Sequence, residues 1–167
     1  MACFTPHQSR YFAEQILLRR PQSSVDGLAS AMSGVKVDLN PHQVDAALFA
    51  MKSPLSSGAL MADEVGLGKT VEAGLVLAQN WAERKRHILL IVPAALRMQW
   101  RAELSEKFYI DSILMESAVY NRRRKEGHTN PFDVQDKVVI CSYQFAAKKA
   151  IDLSLVHWDL VIMDEAH

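Results

Sequence analysis

The chain is poor in the residues that build small or unusual folds. Two cysteines, Cys3 and Cys141, are too few for a disulfide framework, and no Cys/His group has zinc-ligand spacing. Seven glycines and six prolines in 167 residues exclude collagen-like and low-complexity architectures. The longest apolar run, from Ile88 to Leu96, falls well short of the roughly 20 residues that a membrane-spanning helix needs. The opening MACFTPHQSRY has no basic head leading into an apolar stretch, so it does not read as a secretory signal. An excess of charge of either sign is missing too. Nineteen Lys+Arg balance nineteen Asp+Glu, so no whole-chain field attracts nucleic acid, and any such contact must come from a local surface. These absences point to a soluble, cytoplasmic protein without a membrane partner.

What the chain does have is a core. Its 49% hydrophobic and 23% charged residues are the proportions of a packed domain, and its length suits one domain of ordinary size. The first third reads as helices. One spans about residues 7–20 and is stopped by Pro21. Val25, Leu28, Ala29 and Met32, and again Val44, Ala47, Leu48 and Met51, stand at i, i+3, i+4 and i+7 and mark two more. Ser53, Pro54, Ser56, Ser57 and Gly58 form a loop. Beyond it, short apolar runs at 59–62, 88–92, 113–115, 138–141 and 160–163 alternate with helical segments. The clearest of these carries Leu96, Trp100, Leu104 and Phe108 on one stripe, where Trp100 reads as core packing. The alternation predicts an α/β fold, a parallel sheet flanked by helices. Sheets of this kind bind ligands beyond the C-terminal ends of their strands.

One such strand end is rich in chemistry. Residues 62–70 read ADEVGLGKT and lie between an apolar run and a helix that starts near Val71. A strand, a glycine-containing loop and a helix opening at Gly-Lys-Thr make a phosphate-binding loop. Gly66 and Gly68 allow conformations closed to other residues, and the helix N-terminus offers partial positive charge to an anion. Lys69 adds a full charge, and the Thr70 hydroxyl suits Mg²⁺. Asp63 stands where the general pattern has glycine. At the other end of the chain, the run 160–163 emerges at Asp164 and Glu165. A carboxylate there can hold a nucleotide's Mg²⁺, and its neighbour can position the attacking water. By contrast, Arg122-Arg123-Arg124-Lys125 reads as a solvated face, and Cys141 as a small buried hydrophobe.

Asp164-Glu165-Ala166-His167 is the motif II signature of superfamily 2 helicases and translocases. Residues 62–70 resemble motif I of their Swi/Snf-like branch, in which aspartate replaces the first glycine. Val65, with Glu72-Ala73-Gly74 following, is more similar to bacterial RapA-like and archaeal members than to eukaryotic remodellers, which usually have Met there. Asn40-Pro41-His42-Gln43 resembles the Q motif. A second Pro-His-Gln ends at Gln8, but Gln43 stands nearer Lys69, as the family requires. Residues 91–96 with Gln99-Trp100 look like motif Ia, and Cys141-Ser142-Tyr143-Gln144 like motif Ib.

The resemblance implies a P-loop NTPase fold of the RecA-like lobe 1 type. It places an incomplete ATP-binding lobe over residues 36–167 and a helical extension over 1–35, with lobe 2 absent. It implies ATP and Mg²⁺ as cofactors. The nucleotide would lie on Asp63, Glu64, Val65, Gly66, Leu67, Gly68, Lys69 and Thr70, with Gln43 selecting adenine. Thr70 and Asp164 would hold the metal. Lys69 and Glu165 would be catalytic, and His167 would couple the nucleotide to the nucleic-acid face formed by motifs Ia and Ib. The implied activity is ATP-dependent translocation on double-stranded DNA by a nucleoid-associated bacterial or archaeal protein.

The chain closes within motif II, before motif III and the arginines of lobe 2. An arginine finger is worth about 10³–10⁵ in turnover at related sites. The chain is therefore expected to be the N-terminal part of a longer protein whose C-terminal lobe is its missing partner. It is expected to bind Mg-ATP weakly, to hydrolyse it negligibly, and to end its sheet at an open edge. Two alternatives stay open. One is a non-hydrolysing nucleotide- or nucleic-acid-binding module from a truncated gene. The other is an unrelated P-loop phosphotransferase, which would need neither Gln43 nor Asp-Glu-Ala-His.

Overall fold

The computed structural model describes residues 40–52, 58–61 and 68–166. Its centre is a four-stranded, all-parallel sheet of β1 (Ile88–Val92), β2 (Ser112–Leu114), β3 (Val138–Ser142) and β4 (Leu160–Met163), in the order β2-β3-β1-β4. The register sets Leu90 beside Ile140 on one side and Ile162 on the other. The helices are α1 (Pro41–Lys52), α2 (Lys69–Ala82), α3 (Arg97–Phe108), α4 (Ser117–Lys125), α5 (Tyr143–Lys148) and α6 (Ala150–Ser154). None of them is long and apolar enough to cross a membrane.

The two central strands are apolar at every position but Ser142 because both of their faces are covered. Alternate residues point to opposite sides. Ile88, Leu90, Val92, Val138 and Ile140 pack with Leu75 and Leu77 of α2 and with Trp100, Leu104 and Phe108 of α3. On the other side, Leu89, Val139 and Cys141 meet Tyr120 of α4, Phe132, Phe145 of α5 and Leu153 of α6. The parallel α/β arrangement expected from the strand–helix alternation is the one observed.

Two boundaries differ from expectation. The run 59–62 forms no strand over its described residues, 59–61, and Leu60 is exposed. Strand pairing needs a neighbour, and no described strand lies against this segment. The strand expected at 113–115 is Ser112–Leu114. Met115 instead turns into the second core, its N–H donating to the Ile140 carbonyl at 2.7 Å. The Arg122–Lys125 run is exposed as expected of a solvated face, except for the half-buried Arg123. Arg123 Nε donates to the Pro131 carbonyl at 2.9 Å and Arg124 to the Thr129 carbonyl at 2.8 Å, so they fasten the turn after α4. The expected helices at 7–20 and 25–32 lie outside the described residues.

Among the described strands, β4 stands at one edge of the sheet. Leu160 and Ile162 pack on the first core, whereas Val161 and Met163 are 46% and 54% exposed. Its start is fastened by Asp159, whose Oδ2 accepts from the N–H groups of Arg86 and His87, both at 3.0 Å. The His87 N–H foremost holds this carboxyl below its ordinary 3.8; burial opposes it, and the Arg86 N–H with the imidazoles of His87 and His157 adds to the lowering. A lowered folded value means the stabilisation is complete above 3.8 and is lost as pH falls through that lower value. Asp159→Ala should therefore cost up to about 1 kcal/mol at neutral pH, a modest figure because the site is exposed. Thermal melts of the two proteins should differ at pH 7 and converge toward pH 3; a constant difference would contradict this account.

Candidate functional site

The site is built where two chain segments meet the C-terminal end of the sheet. The first is the start of α2. Gly68 precedes the helix in the left-handed region at φ 94°, and no side chain caps the helix there. Its carbonyl accepts from the N–H groups of Val71 at 2.7 Å and Glu72 at 3.1 Å, which commits the chain to helix at once. Lys69 and Thr70 follow in the first turn. Gly68 also has to be glycine for space, since a Cβ there would overlap the side-chain nitrogen of Gln43. Gln43 itself is buried, and its Oε1 accepts from the Asn40 N–H at 3.2 Å. Packing thus brings the glutamine of α1 against the phosphate-loop end of α2.

The second segment is the end of β4. The Asp164 N–H donates to the Ile91 carbonyl at 3.0 Å, continuing the ladder with β1. The Asp164 carbonyl accepts from the Tyr143 hydroxyl at 2.8 Å, and its Oδ2 accepts from the Trp100 indole at 2.7 Å. Glu165 then takes a left-handed φ of 53°, turning the chain off the strand. Removal from water, aided by the nearby Asp164 and Glu165 carboxylates, pushes the Tyr143 hydroxyl above its ordinary 10.0. It is a proton donor at neutral pH. Behind it, burial pushes the Cys141 thiol up to about 12 against a small opposing effect of Arg97, so this cysteine is an inert core residue.

Between the two segments lies one cleft of about 940 Å³, and Lys69, Asp164 and Glu165 all line it, with Trp100 at its inner wall. Of the residues singled out in the sequence, Gln43, Gly68, Lys69, Thr70, Asp164 and Glu165 are therefore gathered around one end of the sheet. Asp63, Glu64, Val65, Gly66, Leu67 and His167 lie outside the described residues. The bonds from Trp100 and Tyr143 to Asp164 were not read from the sequence. The one available signal was that a buried indole needs an acceptor.

The described residues contain no group of three or more His, Cys, Asp or Glu able to enclose a metal. Mg²⁺ does not need one, because it keeps several waters and takes one or two protein oxygens together with phosphate oxygens. The Thr70 hydroxyl and Asp164 carboxylate are donors of that hard-oxygen type.

A parallel sheet with a glycine-started helix and an acidic strand end at its C-terminal edge defines an α/β domain of the RecA-like class. Residues 18–167 match the family described as SNF2-related domain, and the chain belongs to that family. It is 34% identical to the RNA polymerase-associated protein RapA of Serratia proteamaculans (strain 568), over 98% of this chain and 18% of that protein. RapA of Yersinia pestis (strain Pestoides F) is similar to the same extent. The chain thus spans less than a fifth of the length of these relatives. Among solved structures, the Sulfolobus solfataricus SWI2/SNF2 ATPase core in complex with dsDNA has the same fold, with a TM-score of 0.65 and 23% identity. That likeness covers 80% of this chain and 27% of that one.

Proposed function

We propose that the chain binds Mg-ATP as the first-lobe part of an ATP-dependent translocase that acts on double-stranded DNA. The carrying observation is the single cleft lined by Lys69 from the start of α2 and by Asp164 and Glu165 from the end of β4. Phosphoryl transfer needs those groups together: a cation on the phosphates, a metal-holding carboxylate and a residue to orient water. Lys69 pairs with the β and γ phosphates, while the uncapped N–H groups of α2 receive phosphate oxygens. Thr70 and Asp164 would hold Mg²⁺, whose charge, when bound, would offset the negative charge of the phosphates. Glu165 orients the attacking water and accepts its proton. Gln43, whose side-chain nitrogen lies against Gly68, would select adenine.

A nucleic-acid partner is supported by the archaeal relative in fold, solved with dsDNA, and by relatives named for association with RNA polymerase. The segments after β1 and β3, 93–99 and 143–144, form the face toward it.

Calorimetric titration of Mg-ATP into the chain and its Lys69→Ala variant tests the reading. Removing a charge-assisted contact costs about 1.5–3 kcal/mol, a loss of roughly 10- to 100-fold in affinity. A folded wild-type chain that binds no ATP, or a variant that binds equally well, would overturn it.

A further inference from the structure

We propose that Trp100 and Tyr143 are positioning residues that set the metal-binding orientation of Asp164, an inference that rests on the nucleotide function above. The sheet alone holds Asp164 poorly. β4 is a four-residue edge strand, half exposed, and it holds Asp164 by a single ladder bond to Ile91. A side chain at the end of such a strand samples several rotamers unless something else fixes it.

Two side chains do so. Trp100 is only 2% exposed and wedged among the residues of the first core, so its ring has no freedom to turn. Its buried N–H needs an acceptor and finds the Asp164 Oδ2 at 2.7 Å, a short bond to a charged group. The Tyr143 hydroxyl reaches from the start of α5 to the Asp164 carbonyl at 2.8 Å and fixes the peptide that leads into Glu165. The left-handed Glu165 conformation persists because the preceding peptide is held in this way. With Oδ2 held by the indole, the carboxylate would be presented to a metal in one fixed orientation. Carboxylate ligands are oriented by such hydrogen-bonded partners, whose removal typically costs 10- to 100-fold in metal affinity.

The test separates metal-dependent from metal-independent binding. Trp100→Phe removes the N–H and keeps an aromatic ring; Tyr143→Phe removes one hydroxyl and keeps the packing, so it serves if the first variant fails to fold. ATP is titrated into each protein in Mg²⁺ and in EDTA. Trp100→Phe should weaken binding by about 10- to 100-fold in Mg²⁺, with Tyr143→Phe at the lower end, and neither should change binding in EDTA. In the wild-type chain, the indole N–H resonance absent from Trp100→Phe should shift when Mg²⁺ is added to the ATP complex. Variants indistinguishable from wild type in Mg²⁺, or equally weakened in EDTA, would overturn the assignment while leaving the nucleotide function standing. A folded wild-type chain that binds ATP in neither buffer would overturn both.

Discussion

Gly68→Ala is expected to lower the melting temperature by about 4–12 °C and to weaken ATP binding by tenfold or more. Two costs add. Alanine at φ 94° lies in the left-handed region, a penalty of roughly 1–2 kcal/mol. The new Cβ would also overlap the Gln43 amide nitrogen. Gln43 cannot step aside freely, because it is buried and its Oε1 is held by the Asn40 N–H. Giving up that bond costs about 1 kcal/mol more. A domain of this size loses roughly 2–4 °C per kcal/mol, which gives the melting shift. The affinity loss follows because either α1 retreats or the first turn of α2 rotates, and the turn is what presents Lys69. A double-mutant cycle with Gln43→Ala separates the causes: the steric part should vanish and the backbone part remain. Wild-type melting and affinity in Gly68→Ala would refute the geometry at this turn.

Gly74→Val should be strongly destabilising. Gly74 lies in the middle of α2, where a glycine is otherwise a liability of about 1 kcal/mol relative to alanine. It is needed because the buried Phe108 ring of α3 packs directly on its Cα, leaving no room for a Cβ. The ring is enclosed by the first core and has nowhere to move. Overpacking of this kind costs about 1–3 kcal/mol for one or two added carbons, and valine adds three, so about 3 kcal/mol is expected. Thermal unfolding should fall by roughly 6–12 °C. Phe108→Leu introduced into Gly74→Val should recover part of the loss, whereas the same change in the wild-type background should only destabilise. Additive effects of the two substitutions would show that the helices do not meet at this point.

Much of this architecture is visible in the residues themselves, for local reasons. Ile88–Val92 and Val138–Ser142 are apolar in every or nearly every position, and only a strand covered on both faces uses such runs. Gly-Lys-Thr before a helix and two carboxylates after an apolar run are the local signals on which the proposed phosphate site rests, and they need no tertiary information. What could not be read depends on distant residues. The run 59–62 has strand composition, yet a strand exists only when a neighbour pairs with it, and pairing is not a property of the segment. Trp100 lies on the α3 stripe with Leu104 and Phe108, so its apolar role hid its N–H, whose acceptor stands 64 residues away. The Arg123 and Arg124 bonds likewise depend on where the following turn happens to fold back. The closeness of Gly74 to Phe108 follows from a helix crossing that neither residue's own surroundings record.

The three-point hold on Asp164 has a thermodynamic consequence. Its two side-chain anchors arrive from beyond β1 and β3, so the acidic turn is bolted to both surface segments that follow those strands. If Asp164 holds metal as proposed, a ligand that settles on either segment and tightens its anchor would raise the affinity for metal and nucleotide by some factor. Reciprocity then requires metal and nucleotide to raise that ligand's affinity by the same factor. One indole proton and one phenolic proton would be the whole transmission between the two sites, short enough that no larger rearrangement of the domain is needed to carry the signal.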